Sequence, residues 1–324
     1  MKTEVHEKLA LFAANIQAIM REFTWHGTLV RKLAALLYTL DNKPIDCDAI
    51  RNCHALIKGN TGVFSSFRGN MALCIATMLS LRENPADLFA RTVFVYEKLK
   101  SLKFQVSDYL VIAAYEIASQ AEPGEYDQVI SRTKAFYDGM KSKGFFRTGQ
   151  DDYIFSAMLG LSGINVKIGT ESIENLYQRF KPEFRAGNSV QMLAQILVLS
   201  GEREIAISRI LTIRDAMKAQ KIHLDRVYTL PSLGVLALLP VDINVLVEDV
   251  NNAQAFLGTQ KGFGSFSISK QELLLFVSAI VAAVYTKEIE YGLVAASVST
   301  SIASIIIAQQ AAIITAASAA ATSS

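Results

Sequence analysis

Six segments of this chain are apolar almost all the way round: MALCIATMLSL (71–81), LVIAAYEIASQ (110–120), IFSAMLGLSG (154–163), MLAQILVLSG (192–201), LPSLGVLALLP (230–240) and LLLFVSAIVAA (273–283). The only charge among them is Glu116. A helix that is hydrophobic around its whole circumference has to be covered on every side, so these segments demand neighbours all round. That requirement constrains the fold more than any single motif.

The segments recur with a period. A large apolar residue precedes each, at Phe67, Phe104, Phe146, Phe184, Ile222 and Phe266, 37 to 44 residues apart, and helix breakers close five of them at Pro85, Pro123, Gly163, Gly201 and Pro240 with spacings of 38 to 40. Two independent markers with one period near 40 residues indicate a helix-pair repeat. Between the apolar segments lie charged, amphipathic stretches such as ADLFARTVFVYEKLKSL and EIAISRILTIRDAMKAQ. Asn84-Pro85 opens the first of these with a capping side chain and then a proline at the first helical position.

The expected unit is therefore an outer amphipathic helix, a short loop with an aromatic plug, and an inner apolar helix. About six such hairpins cover residues 46–285 of a single all-α domain spanning 1–290. N-terminal helices at 4–22 and 28–40 occupy residues 1–45 and flank one end, and an uncharged helix with a frayed tail follows over 291–324. An open, curved superhelix and a closed α/α toroid both satisfy the pattern; the short loops and the apolar inner helices favour the open form.

Composition narrows the function classes. Lys and Arg number 32 against 30 Asp and Glu, a net charge of +2, which gives no global argument for nucleic acid. Three cysteines without CxxC spacing fit reduced thiols and a cytoplasmic location. His6, His26, His54 and His223 form no metal-ligand spacing, and there is no dinucleotide, nucleotide or nucleophile-elbow motif, so no metal and no cofactor is expected. The glycines of KGNTG (58–62) and KGFGSF (261–266) read as turn formers rather than as a phosphate cradle. The uncharged C-terminal segment is long enough for a bilayer, but its serines and glutamines and its small-residue stripe suit a packing helix better than an anchor.

Polar residues gather by position. Arg68 and Asn70, Asp108, Asp151 and Asp152, Asn188, Arg226 and Lys270 all fall at or near inner-helix starts, which a repeat fold brings to one end. Unpaired N–H groups there favour an anion. Asp108, Asp151 and Asp152 are the acid or base candidates, with Arg68, Asn188 and Arg226 as ligand contacts. The plainer alternative makes these residues helix caps, Asn188–Gln191 and Ser269–Glu272 having capping-box spacing. Tyr109 and Tyr153 read as aromatic packing, and Trp25-His26 as a seal between the first two helices or a stacking platform.

The stretches LRENPADLFARTVFVYEKLK, FRTGQDDYIFSAMLGLSG, LYQRFKPEFRAGNSVQMLAQILVL and LPSLGVLALLP resemble the bacterial domain-of-unknown-function family 4003 over most of residues 1–290. The resemblance implies a bacterial, cytoplasmic protein without an assigned activity and supplies no catalytic residue to carry over. The expected function is a non-enzymatic repeat protein that engages a protein or peptide partner. The alternatives are an α/α-type enzyme, such as a hydrolase, with an acidic site at the inner-helix starts, and a membrane-associated protein held by its tail.

Overall fold

The computed structural model describes residues 1–143, 148–184, 187–201, 204–264 and 268–286. Within them the chain is helical and contains no strand. The helices come in consecutive antiparallel pairs. The first pair is α1 (Thr3–Ile19) with α2 (Thr28–Leu40); then α3 (Cys47–Asn60) with α4 (Ala72–Ser80), and α5 (Pro85–Ser101) with α6 (Asp108–Gln120). There follow α7 (Tyr126–Lys143) with α8 (Asp152–Leu161), α9 (Val166–Phe180) with α10 (Gly187–Leu199), α11 (Glu204–Ala219) with α12 (Leu230–Ala237), and α13 (Ile243–Thr259) with α14 (Lys270–Thr286).

Even-numbered helices are the inner layer. From Ala72 to Leu79 of α4, from Asp152 to Gly160 of α8 and from Leu230 to Ala237 of α12, every residue is buried. Odd-numbered helices bury one stripe only, as Leu88, Phe89, Thr92, Val95, Tyr96 and Leu99 do in α5. Large apolar side chains, aromatic at all but one of the described positions, plug the loops as the repeat demands. Phe67, Phe104, Phe184 and Ile222 are all buried; Phe67 packs edge-on against Phe89 and Tyr96, and Phe104 against Tyr153. Phe146 and Phe266 lie outside the described residues, as does the whole of 291–324. At the last described loop the plug is Phe263, stacked 5.5 Å from Phe12.

That contact joins the two ends of the array. α1 packs on α13 and α14, and α2 touches both α4 and α14, so the curvature carries the succession of pairs round until its ends meet. The N-terminal helices do not flank one end; they sit between the first and last hairpins and close the ring. Short loops are no obstacle to closure, because they join each helix to its partner and each pair to the next, and closure adds only contacts between the first and last pairs. The seam is polar as well as apolar: buried Asp249 on α13 receives the Lys2 backbone N–H at 3.0 Å and the Tyr285 hydroxyl at 2.6 Å.

A second device, absent from the apolar pattern, locks outer to inner helices. Arg132 on α7 donates to the carbonyls of Gly160, Ser162 and Ile164 that α8 leaves unpaired at its end. Arg209 on α11 does the same for Leu239 and Val241 after α12, and Arg91 on α5 for Ala118 in α6. A guanidinium suits this task because its planar fork reaches several terminal carbonyls at once. Next to two of these arginines, Thr92 and Thr133 turn their hydroxyls back onto their own helix at Leu88 and Val129.

Candidate functional site

The pairing of antiparallel helices puts every inner-helix start at one end of the ring. Asp108 and Asp152 are the first residues of α6 and α8, and Lys270 of α14; Asn188 lies in the first turn of α10, and Arg226 in the loop before α12. What each side chain does there differs.

Asp152 is 2% exposed and fully enclosed. Gln191 and Gln195, one turn apart on α10, donate their amides to its Oδ1 at 2.8 and 2.7 Å, and the Gly149 N–H reaches Oδ2 at 2.9 Å. Burial pushes its pKa up to about 7, the neighbouring Asp151 adding to the rise while the Gln191, Gly149 and Gln195 hydrogen bonds oppose it. Gln195 Oε1 and, one turn further along α8, Ser156 Oγ are buried without a hydrogen-bond partner. Burial, which favours the neutral acid, thus outweighs three donors that favour the anion.

Asp151 is brought to Asn188, whose side chain hydrogen-bonds it, but burial still raises its pKa. This pair unites two predicted roles, an acid candidate and a ligand-contact candidate. Asn188 lies in the first turn of α10, and Gln191, three residues on, donates its side-chain amide to Asp152 and Thr148. At α14 the expected box forms: Ser269 N–H donates to Glu272 at 2.7 Å and Glu272 N–H to Ser269 Oγ at 3.2 Å.

Asp108 belongs to a different neighbourhood. The N-cap of α6 is Ser107, while Asp108 accepts the Met71 backbone N–H, and burial raises its pKa against that bond. Gly69 makes the approach feasible, because a Cβ there would stand 2.7 Å from Asp108 Oδ1. Arg68 turns away from the acids and spends its guanidinium on Thr61 Oγ1 and the Lys58 and Thr61 carbonyls at the end of α3. Arg226 is exposed, its carbonyl receiving the N–H groups of Thr229 and Leu230. Lys270 lines a cleft of about 510 Å³ together with Gln254 and Ser269.

The aromatic candidates divide in the same way. Tyr153 is packing: its ring lies 4.9 Å from Phe104 and its hydroxyl accepts the Gln105 N–H. Tyr109 is buried in the core. Of Trp25-His26, the histidine seals the junction by edge contact with His54 at 5.4 Å, whereas Trp25 is 70% exposed.

The arrangement holds no group of three or more metal-ligating side chains among the described residues, and no described helix is long and apolar enough to cross a membrane. Gln191 and Gln195 are the partners that residue patterns missed. Their signal was present as two amides four residues apart inside an otherwise apolar inner helix, a placement that burial tolerates only with a hydrogen-bonding partner. No curated protein and no solved structure matches the chain. The family profile described as protein of unknown function DUF4003 matches residues 15–311, most of the chain, and the protein belongs to that family.

Proposed function

We propose that this is a non-catalytic helical-repeat protein that binds a protein or peptide partner at the end of the ring where its inner helices begin. The observation that carries the proposal is the internal commitment of the acids at that end. Asp152 is sealed by two glutamines and a backbone N–H, and Asp108 is held by Met71. A general acid or base has to come within hydrogen-bond reach of its substrate, and a carboxyl with 2% exposure does not. Closure of the ring also removes an open concave face, which moves the contact surface to the loops. There Arg226 and Val227 stand in solvent beside a backbone steadied by the bond from Ser189 Oγ to the Val227 carbonyl.

The test is cross-linking in the native cells with tagged wild-type protein and the exposed double variant Arg226→Glu, Val227→Ser. A polypeptide retained by the wild type and lost from the variant, at equal helicity, supports the proposal. Turnover of a hydrolase substrate that disappears in Asp108→Asn or Asp152→Asn, with folding intact, would replace it by the enzyme reading.

A further inference from the structure

Three large apolar side chains stand in water at one corner of the loop end. Trp25, in the α1–α2 loop, is 70% exposed; Val63 and Phe64, in the α3–α4 loop, are 76% and fully exposed. Single exposed hydrophobes are ordinary, but a cluster on adjoining loops marks an interaction site. Both loops meet at the second half of α3: His26 packs on His54, and Arg68 ties the 61–68 segment back to Lys58 and Thr61. Their bases are fixed. Phe23, beneath Trp25, and Phe67, behind Phe64 in sequence, are both buried, and Ser65 N–H closes a turn on the Gly62 carbonyl at 3.1 Å. Rigid bases under projecting apolar tips leave little ordering entropy to lose on docking.

The surroundings are basic. Arg21, Arg68 and Lys103 occupy these loops and the adjacent α5–α6 loop, and Lys58 the last turn of α3. Of the nearby acids, Glu22 pairs with Arg51 at 3.1 Å and Glu97 with Lys100 at 2.8 Å, while Asp108 is held inside by the Met71 N–H. The positive environment is felt inside the corner, where burial, then His54, Lys58 and Arg31, hold the His26 imidazole in its neutral form down to a pKa of about 4.

We propose that this corner docks on the surface of an anionic phospholipid bilayer, with Trp25, Val63 and Phe64 entering the interfacial layer and the surrounding basic side chains facing the headgroups. Projecting side chains without a concave counterpart fit a fluid apolar layer, which needs no complementary pocket. Tryptophan is at home at the headgroup level, and clustered Lys and Arg are drawn to anionic lipid. The inference goes beyond the partner-binding proposal and does not depend on it. It differs from the membrane-associated alternative drawn from the sequence, which rested on the uncharged tail.

Trp25 is the single tryptophan of the chain, so tryptophan emission, excited selectively over the tyrosines, reports this corner alone. The full-length protein is titrated with vesicles of phosphatidylglycerol and phosphatidylcholine, with phosphatidylcholine vesicles alone in parallel, and co-sedimentation is measured on the same samples. The expected result is a blue shift and co-sedimentation with the anionic vesicles, both weakened by salt. The double variant Val63→Ser, Phe64→Ser should partition at least about tenfold less, since each removed apolar side chain contributes to transfer, with an unchanged circular dichroism melt. Absence of a shift with anionic vesicles overturns the proposal. So does co-sedimentation that the double variant leaves intact while Trp25 stays in water, which would mean attachment through another segment. A shift that follows protein concentration without lipid, or that needs an added protein, assigns the corner to a second copy or a protein partner and equally overturns it.

Discussion

Gln195 Nε2 on α10 donates to Asp152 Oδ1 on α8 at 2.7 Å across the interface of two inner helices, and its own Oε1 is left buried without a partner. Asp152→Asn places a side chain of the same shape there with no charge to bury, its Oδ1 keeping the two glutamine donors while its Nδ2 gives up the bond from the Gly149 N–H. The folded-state pKa of Asp152 is raised, so the acid stays protonated in the fold while it ionises in the unfolded chain. Native stability is therefore full below the unfolded value near 4 and declines as pH rises toward about 7. Asp152→Asn should abolish that decline and stabilise the protein at pH 7.5 by on the order of 1–3 kcal/mol. Denaturant unfolding at pH 4.5 and 7.5 measures both; a variant less stable than wild type at pH 7.5 would mean the carboxylate is the favoured form.

His26 has the opposite slope. Its depressed pKa of about 4 keeps it neutral in the fold where an unfolded histidine, at 6.5, takes up a proton. Its contribution is complete above 6.5 and is lost as pH falls from there toward 4. His26→Gln should therefore flatten the acid limb of the melting profile, and thermal melts between pH 4.5 and 7.5 compare the two proteins. Wild type and variant with parallel profiles would show that His26 titrates normally.

Gly160 on α8 lies against α7 so closely that a Cβ would meet the Thr133 backbone N at 2.9 Å and the Val129 carbonyl at 3.0 Å. Neither backbone atom can rotate away. Gly160→Ala gains helix propensity yet should destabilise by about 1–3 kcal/mol through overpacking. Gly163→Ala meets nothing within 4 Å and serves as the control. Gly163 lies beyond the end of α8, so a loss on chemical denaturation that is confined to Gly160→Ala reports the close approach of α7.

The arginine locks predict a gradation. Arg132 answers three carbonyls and Arg91 only one. Arg132→Met keeps most of the stem but strands those acceptors, so a loss of about 2–3 kcal/mol is expected, against about 1 kcal/mol for Arg91→Met. Equal losses from the two variants would show that packing of the stem, not the hydrogen bonds, holds α7 to α8.

At the ring seam, Tyr285→Phe removes one of the partners of buried Asp249 and should cost about 1–2 kcal/mol. Asp249 also lies 3.5 Å from the terminal amine of Met1. If the seam is cooperative with the rest, the variant should lower a single transition; hydrogen exchange that rises only in α1 and α14 would identify the seam as a separately opening unit.

Helices and their layers were legible because they depend on local pattern. The unbroken apolar runs of α4, α6, α8, α10, α12 and α14 announce burial on all sides, and Asn84-Pro85 or Ser269 with Glu272 announce their helix starts through bonds to residues only three positions away. Ring closure was not legible, since Phe12 meets Phe276 and Lys2 meets Asp249 across nearly the whole chain, and no periodicity encodes the total curvature of an array. The same limit explains the acids. Position along the repeat put Asp108, Asp152 and Arg68 at one end of the molecule. Whether each is offered to solvent or used up inside depends on what the neighbouring hairpin supplies: Gln191 and Gln195 for Asp152, a Met71 N–H for Asp108, the end of α3 for Arg68. Burial and periodicity are properties of a segment and can be read along it; hydrogen-bond partnership and exposure are properties of pairs of segments, and packing alone brings those pairs together.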